Sequence, residues 1–272
     1  METEPDRVPG KVKTKMKKLM IAASAALCAA VGFGDVESSN VVGYLGKNSG
    51  DQNNFIAVPF ASVGYNTSDI QMIEISDDGA GKIGWGGETF DIWEGAPAIV
   101  EGTSFLYTDP SMDPTMKATS YYWGDAEGKR AIFSVVPGQG VVLGLSEGLV
   151  VTYAGEVTTD DVSFTAIQGN NFTGNSFATA IDIQSIKISD EGAGKIGCGG
   201  ETFDIWEGAP TVSVGSSFLY MDPSMDPLMQ ATSYYWGDAD GNPVSYSISA
   251  GQGFVLGLAE GLSVTIESPI SK

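Results

Sequence analysis

The side chains of this chain best suited to chemistry each occur twice. Tyr121-Tyr122-Trp123 returns as Tyr234-Tyr235-Trp236, and Trp93 returns as Trp206. On a strand, alternate residues share a face, so Tyr121 and Trp123 would point one way and Tyr122 the other. An exposed Tyr–Trp face stacks on sugar rings while nearby carboxylates accept hydrogen bonds from the hydroxyls. Buried, the same rings are a large apolar contribution to a core. Trp93, Tyr121, Trp123, Trp206, Tyr234 and Trp236 are therefore the candidate ligand-binding residues, with core packing as the competing use.

Three polar segments point to weaker chemistry. "DPSMDP" at 109–114 and 222–227 pairs Asp109 with Asp113 and Asp222 with Asp226, and two carboxylates can serve as acid and nucleophile at a glycosidic bond. Proline after each aspartate instead predicts an extended turn, and four residues of one loop do not set the required separation. "GDADGN" at 237–242 spaces Asp238, Asp240 and Asn242 as oxygen ligands of a calcium loop are spaced, but no distal carboxylate follows. The other copy, "GDAEGK", puts Lys129 at the third position, so a tight turn accounts for both copies. "DGAGKIGWGGE" lacks the Lys-Ser/Thr ending of a phosphate cradle and reads as a hairpin loop. The chain holds no histidine, which removes Ser-His-Asp and Cys-His constellations and the usual zinc sets. No catalytic residue, metal site or cofactor is expected.

These residues sit in a duplicated framework. "ETFDIWEGAP" at 88–97 recurs at 201–210, and an offset of 113 aligns Ile75–Tyr153 with Ile188–Ile266 without a gap. Upstream the match needs a four-residue gap, setting "NNFIAVPF" against "NNFTGNSF". The copies have diverged at Trp85/Cys198, Lys117/Gln230 and Lys129-Arg130/Asn242-Pro243. "VSYSIS" at 244–249 alternates Val244, Tyr246 and Ile248 inward with three outward serines, and its partner keeps Ala131, Phe133 and Val135 inward. "GVVLGLSEGLVVTY" at 140–153 predicts a hairpin turning at Ser146-Glu147-Gly148. "IQMIEI", "SFLY", "TSYYW" and "DVSFTAI" supply further short strands between Gly, Asp, Asn and Pro turns. The expected fold is all-β: two tandem homologous β-sandwich or barrel-like domains of about 110 residues, spanning 35–157 and 158–272. Each should carry eight or nine strands, with little linker between them.

Residues 1–34 read as a signal peptide. Lys17 and Lys18 precede the apolar, alanine-rich run "LMIAASAALCAAVGFG", with cleavage expected after Gly34 or, alternatively, Ala30. Met16 is the better-placed start. The C-terminal "SVTIESPISK" shows neither a sorting motif nor an apolar anchor. The chain is thus expected to be secreted, in the periplasm, at the cell surface or outside the cell, without a membrane span once the leader is removed. It carries 14 Lys plus Arg against 34 Asp plus Glu, a net of −20; losing the leader's six basic and three acidic residues makes this −23. Such a surface repels nucleic acid and anionic lipid. Cys28 leaves with the leader, so Cys198 is left without an intrachain disulfide partner.

A lysine-led leader running into "VESSNVVGY", with units closing on "PGQGVVLGLSEGLVVTYAGEV", resembles a group of secreted bacterial β-repeat proteins without assigned function. The resemblance implies export and β architecture and brings no active site with it. The expected function is that of a secreted, acidic, non-catalytic surface or matrix protein with structural or interaction roles. Its partner would be an extracellular glycan or another surface protein. The alternative is a dedicated pair of glycan-binding modules using the Tyr and Trp platforms.

Overall fold

Ile73–Ser76 alternates buried and exposed side chains, and its repeat partner Ile186–Ser189 does the same. A strand with one face on a core and the other in water must do this. The computed structural model describes residues 42–50, 52–62, 68–76, 83, 87–99, 104–108, 121–132, 134–190, 196, 200–206, 212–221 and 234–270. Within them the chain is all-β and every ladder is antiparallel. The described helices are two single 3-10 turns, Ile70–Met72 and Ile183–Ser185.

Each repeat builds a small and a large open sheet. In the first, Val150–Val157 lies between Val42–Asn48 on one side and Phe60–Ala61 with Ile73–Ser76 on the other. The larger sheet runs Tyr121–Gly124, Ser104–Thr108, Thr89–Asp91, Gly140–Leu145, Gln52–Ala57. In the second repeat, Ser263–Ile266 lies between Val162–Thr165 and Ile186–Ser189. Its larger sheet runs Gly169–Gly174, Gly253–Leu258, Thr202–Trp206, Val212–Met221, Tyr234–Gly237. Side chains from both sheets of a repeat meet in one core. Phe90, Trp123, Leu143, Val151 and Tyr153 share the first, and Phe203, Trp236, Leu256, Val264 and Ile266 the second. Among the described residues neither sheet of a repeat closes on itself, and the two pack over a shared core.

Several local expectations change. Residues 140–153 do not form a hairpin. Gly140–Leu145 belongs to the large sheet and Val150–Val157 to the small one, so the turn carries the chain across the core. Gly140–Leu145 is almost wholly buried between Gln52–Ala57 and Thr89–Asp91, whereas Val150–Val157 alternates buried with more exposed residues and pairs with Val42–Asn48 and Ile73–Ser76. The turn itself stands where expected, with Gly148 and Gly261 at φ +78° and +80°. "IQMIEI" opens as a 3-10 turn because the Asp69 carboxylate accepts from Gln71 N at 2.9 Å and caps it. "VSYSIS" keeps its alternating burial, but only Ser247–Ile248 pair as strand. Short ladders of this kind raise the strand segments among the described residues to thirteen in the first repeat and ten in the second. Phe133 lies outside the described residues.

The repeats meet along a pseudo-twofold seam, within one compact unit spanning Asn40–Lys272. Ile56 bridges to Gln252, and the corresponding pair, Thr173 and Gln139, bridges in the opposite direction. Ala57 N donates to Gly251 O at 3.1 Å and Thr173 Oγ1 to Gly138 O at 2.6 Å. Gly95 and Asn170 exchange both backbone hydrogen bonds at 3.0 Å. Edge strands that would otherwise offer unpaired amides thus cover one another.

Candidate functional site

Trp123 and Trp236 sit on the outer strand of each large sheet, opposite Leu106 and Leu219. They are only 1% and 0% exposed. Each indole N–H donates at 2.9 Å to a backbone carbonyl of the facing sheet, Ile73 O or Ile186 O. Edge-on contacts to Phe90 and Phe203 complete their surroundings. A glutamine locks the strand behind each one. The Gln71 side chain accepts from Trp123 N and donates to Trp123 O and Ala131 O, and Gln184 repeats this at Trp236 and Val244. The platform expectation for Trp123 and Trp236 is therefore corrected: both indoles are core, with their polar atoms already satisfied.

Tyr121 and Tyr234 share that inward side and are half-buried. Burial, followed by the charges of Asp190 and Glu201, pushes the Tyr234 hydroxyl above its ordinary range. On the outer face, Tyr122 stacks on Tyr107 and Tyr235 on Tyr220, with centroids 5.6 Å apart in both pairs. Their hydroxyls donate to the carbonyls of Gly128, Asp125, Gly241 and Asp238. These pairs clamp the neighbouring turn.

That turn contains the calcium-like spacing. Asp238 Oδ1 accepts from the backbone N–H of Asp240 and of Asn242, both at 2.9 Å, and Asp125 does the same for Glu127 and Lys129. The amides are the turn's own, so the carboxylate caps it. Hydrogen bonds from Asn242, first backbone and then side chain, hold Asp238 below its ordinary carboxylate range. A group depressed in the folded state stabilises above its unfolded pKa and loses that contribution as pH falls through the folded one. Asp238→Asn should therefore melt below wild type at pH 7, and the difference should vanish on acidification from pH 5 to pH 2. Thermal melts across that range check this. A constant gap would mean the charge is irrelevant.

Trp93 and Trp206 are the candidates that the fold brings together. With Phe55 and Phe172 they form a four-ring box on the seam. Each tryptophan stands edge-on to both phenylalanines at 5.6–5.7 Å, and the phenylalanines stack at 6.3 Å. A cleft opens on either side. The one beside Trp206 has a volume of about 510 Å³ and draws Asn53, Asn54 and Phe55 from the first repeat, and Trp206, Gln252 and Gly253 from the second. The one beside Trp93 measures about 230 Å³ and reverses the contribution, with Trp93, Gln139 and Gly140 facing Asn170, Asn171 and Phe172. Asn54 and Asn171 are tied into their own loops, each side chain closing hydrogen bonds four residues back. Asn53 and Asn170 remain as amides at the cleft walls.

Phe55, Phe172, the two asparagine pairs and the two glutamines were not singled out from the sequence. A signal existed: "NNF" survives at 53–55 and 170–172 although the residues on both sides differ between the copies. It lies upstream of the four-residue gap, at an offset of 117, and the paired letters do not say that the two phenylalanines meet. The "DPSMDP" aspartates, most of the glycine-rich loop and Cys198 lie outside the described residues. Among the described residues no group of three or more Asp, Glu or Cys is placed to hold a metal, and no helix is long and apolar enough to cross a membrane. No protein-family model, curated protein or solved structure matches this chain.

Proposed function

We propose that this chain is an exported, acidic, non-catalytic interaction protein made of two tandem β-sandwich repeats, and that its partner is an extracellular glycan. The observation that carries this is the seam: duplication has produced one body offering two equivalent clefts, each lined by an indole and amides, with no pair of carboxylates among the described lining residues. The net charge of −20 disfavours nucleic acid and anionic lipid as partners. The leader-like first 34 residues and the resemblance to secreted β-repeat proteins support export. Asp69, Asp125, Asp182 and Asp238 are committed to capping turns, which supports a body without acid–base machinery.

A glycan array probed with the chain from residue 35 onward tests this, with chromatography of the glycans after overnight incubation. Binding without product is expected. Hydrolysis products would make the protein an enzyme. An array without signal, alongside capture of a purified surface protein, would favour the protein-partner form of the role.

A further inference from the structure

The seam holds two buried donors without acceptors. Trp93 Nε1 and Trp206 Nε1 are shielded from solvent and make no hydrogen bond. A buried N–H left unpaired is destabilising, so folded proteins seldom keep one without use. The other buried orphans, Asp91 Oδ1, Tyr153 OH and Ser176 Oγ, occur in one repeat only. Asp204, the counterpart of Asp91, accepts from Thr202; the counterparts of Tyr153 and Ser176 are Ile266 and Pro59. Among the described residues the indole orphan alone recurs at equivalent positions, and each time the ring lines a cleft.

Divergence around the clefts sorts what is retained. Every residue lining the first cleft has its repeat counterpart lining the second. Three pairs have changed: Lys47/Phe164, Asn48/Thr165 and Gly50/Ile167. The indole, Asn53/Asn170 and Gln139/Gln252 have not. What the two clefts share is an indole donor, carboxamides that both donate and accept, and a phenyl wall. Lys47 lines the first cleft and Phe164 takes its place in the second, so a ligand that needs that cation would suit one and not the other.

We infer that the two seam clefts are equivalent binding sites for a neutral polysaccharide: on binding, the Trp206 and Trp93 rings turn so that Nε1, closed to water in the unliganded chain, donates to a sugar oxygen, while Asn53 and Asn170 read adjacent hydroxyls. This rests on the glycan reading above and adds the site, the donor and a stoichiometry of two per chain. A polyol supplies the missing acceptor, and its C–H faces suit the phenyl wall. Two sites on one rigid body also let a long chain gain from linked binding.

The test is calorimetric titration of the chain from residue 35 onward with cellohexaose, laminarihexaose, xylohexaose and N-acetylchitohexaose, run beside melts of the unliganded protein. Trp206→Phe keeps a ring against Phe55 and Phe172 and removes the donor. One of the four sugars should bind at two sites per chain, and Trp206→Phe should weaken one of them about 10-fold. Trp93→Phe should weaken the other, and the double variant both. Unliganded melting should stay level or rise, because a lone buried donor has gone. Unchanged sugar binding in the double variant would overturn the clefts while leaving a glycan partner standing. No binding to any of the four by wild type, with a silent array, would take down both. Lower unliganded melting with unchanged affinity would show the N–H groups spent on the phenylalanine ring faces, and would also overturn the site.

Discussion

Gly253→Ala should split one cooperative unfolding transition into two. A Cβ at Gly253 would stand 2.7 Å from Ile56 N and from Phe55 C, and 2.9 Å from Phe55 O. Gly140, its counterpart, would place one 2.6 Å from Phe172 C and 2.7 Å from Thr173 N. The obstacles are backbone atoms of the other repeat, which have no rotamer to change. The seam itself must open, loosening the Ala57–Gly251 hydrogen bond and the aromatic box. Overpacking of this kind costs about 1–3 kcal/mol. The larger consequence is lost coupling, because each repeat keeps a separate core and can melt alone once the seam no longer joins them. Differential scanning calorimetry reads this directly, and Gly140→Ala should reproduce it. Gly87→Ala is the control: φ is +69° and nothing stands within 4 Å, so it pays only local backbone strain. A single transition at the wild-type temperature in Gly253→Ala would mean that the seam takes up the added Cβ without opening, and would overturn the close approach.

The β architecture was legible because each repeat writes its strands in period two and punctuates them with glycine and aspartate. Alternation in "VSYSIS" did report burial, residue by residue. It could not report pairing, which depends on what lies alongside, and so it overstated the strand. The 140–153 segment shows the same limit more sharply. Two apolar runs joined by Ser-Glu-Gly look like a hairpin, and only tertiary packing reveals that the arms face each other across a core. The aromatic assignments divide for the same reason. A Tyr-Tyr-Trp strand states which rings share a face but not which face is wet, so Trp123 and Trp236 stood as candidates until the facing carbonyls of Ile73 and Ile186 were in place. Trp93 and Trp206 lie beside a tract too short and too polar to suggest a wall. Their setting is made by the other repeat, through Phe172 and Phe55, and no local pattern carries that.

Trp236→Ala and Trp123→Ala should each destabilise the protein severely, and independently of one another. Removing a fully buried indole costs about 3–5 kcal/mol. Each change also leaves a carbonyl, Ile186 O or Ile73 O, without its donor in the core. For a body of this size that corresponds to a fall in Tm of roughly 10 °C or more. The indoles belong to different cores, with Phe203 beside one and Phe90 beside the other. Their effects on denaturant-derived stability should therefore add within about 0.5 kcal/mol. The contrast with the seam matters most. Four tryptophans stand at two kinds of position, one pair with donors satisfied and faces buried, the other with donors orphaned at clefts. Truncation of the first pair should unfold the chain, whereas conversion of the second pair to phenylalanine should leave the fold intact and remove sugar binding. If Trp236→Ala instead melts like wild type and abolishes sugar binding, the two kinds have been assigned the wrong way round.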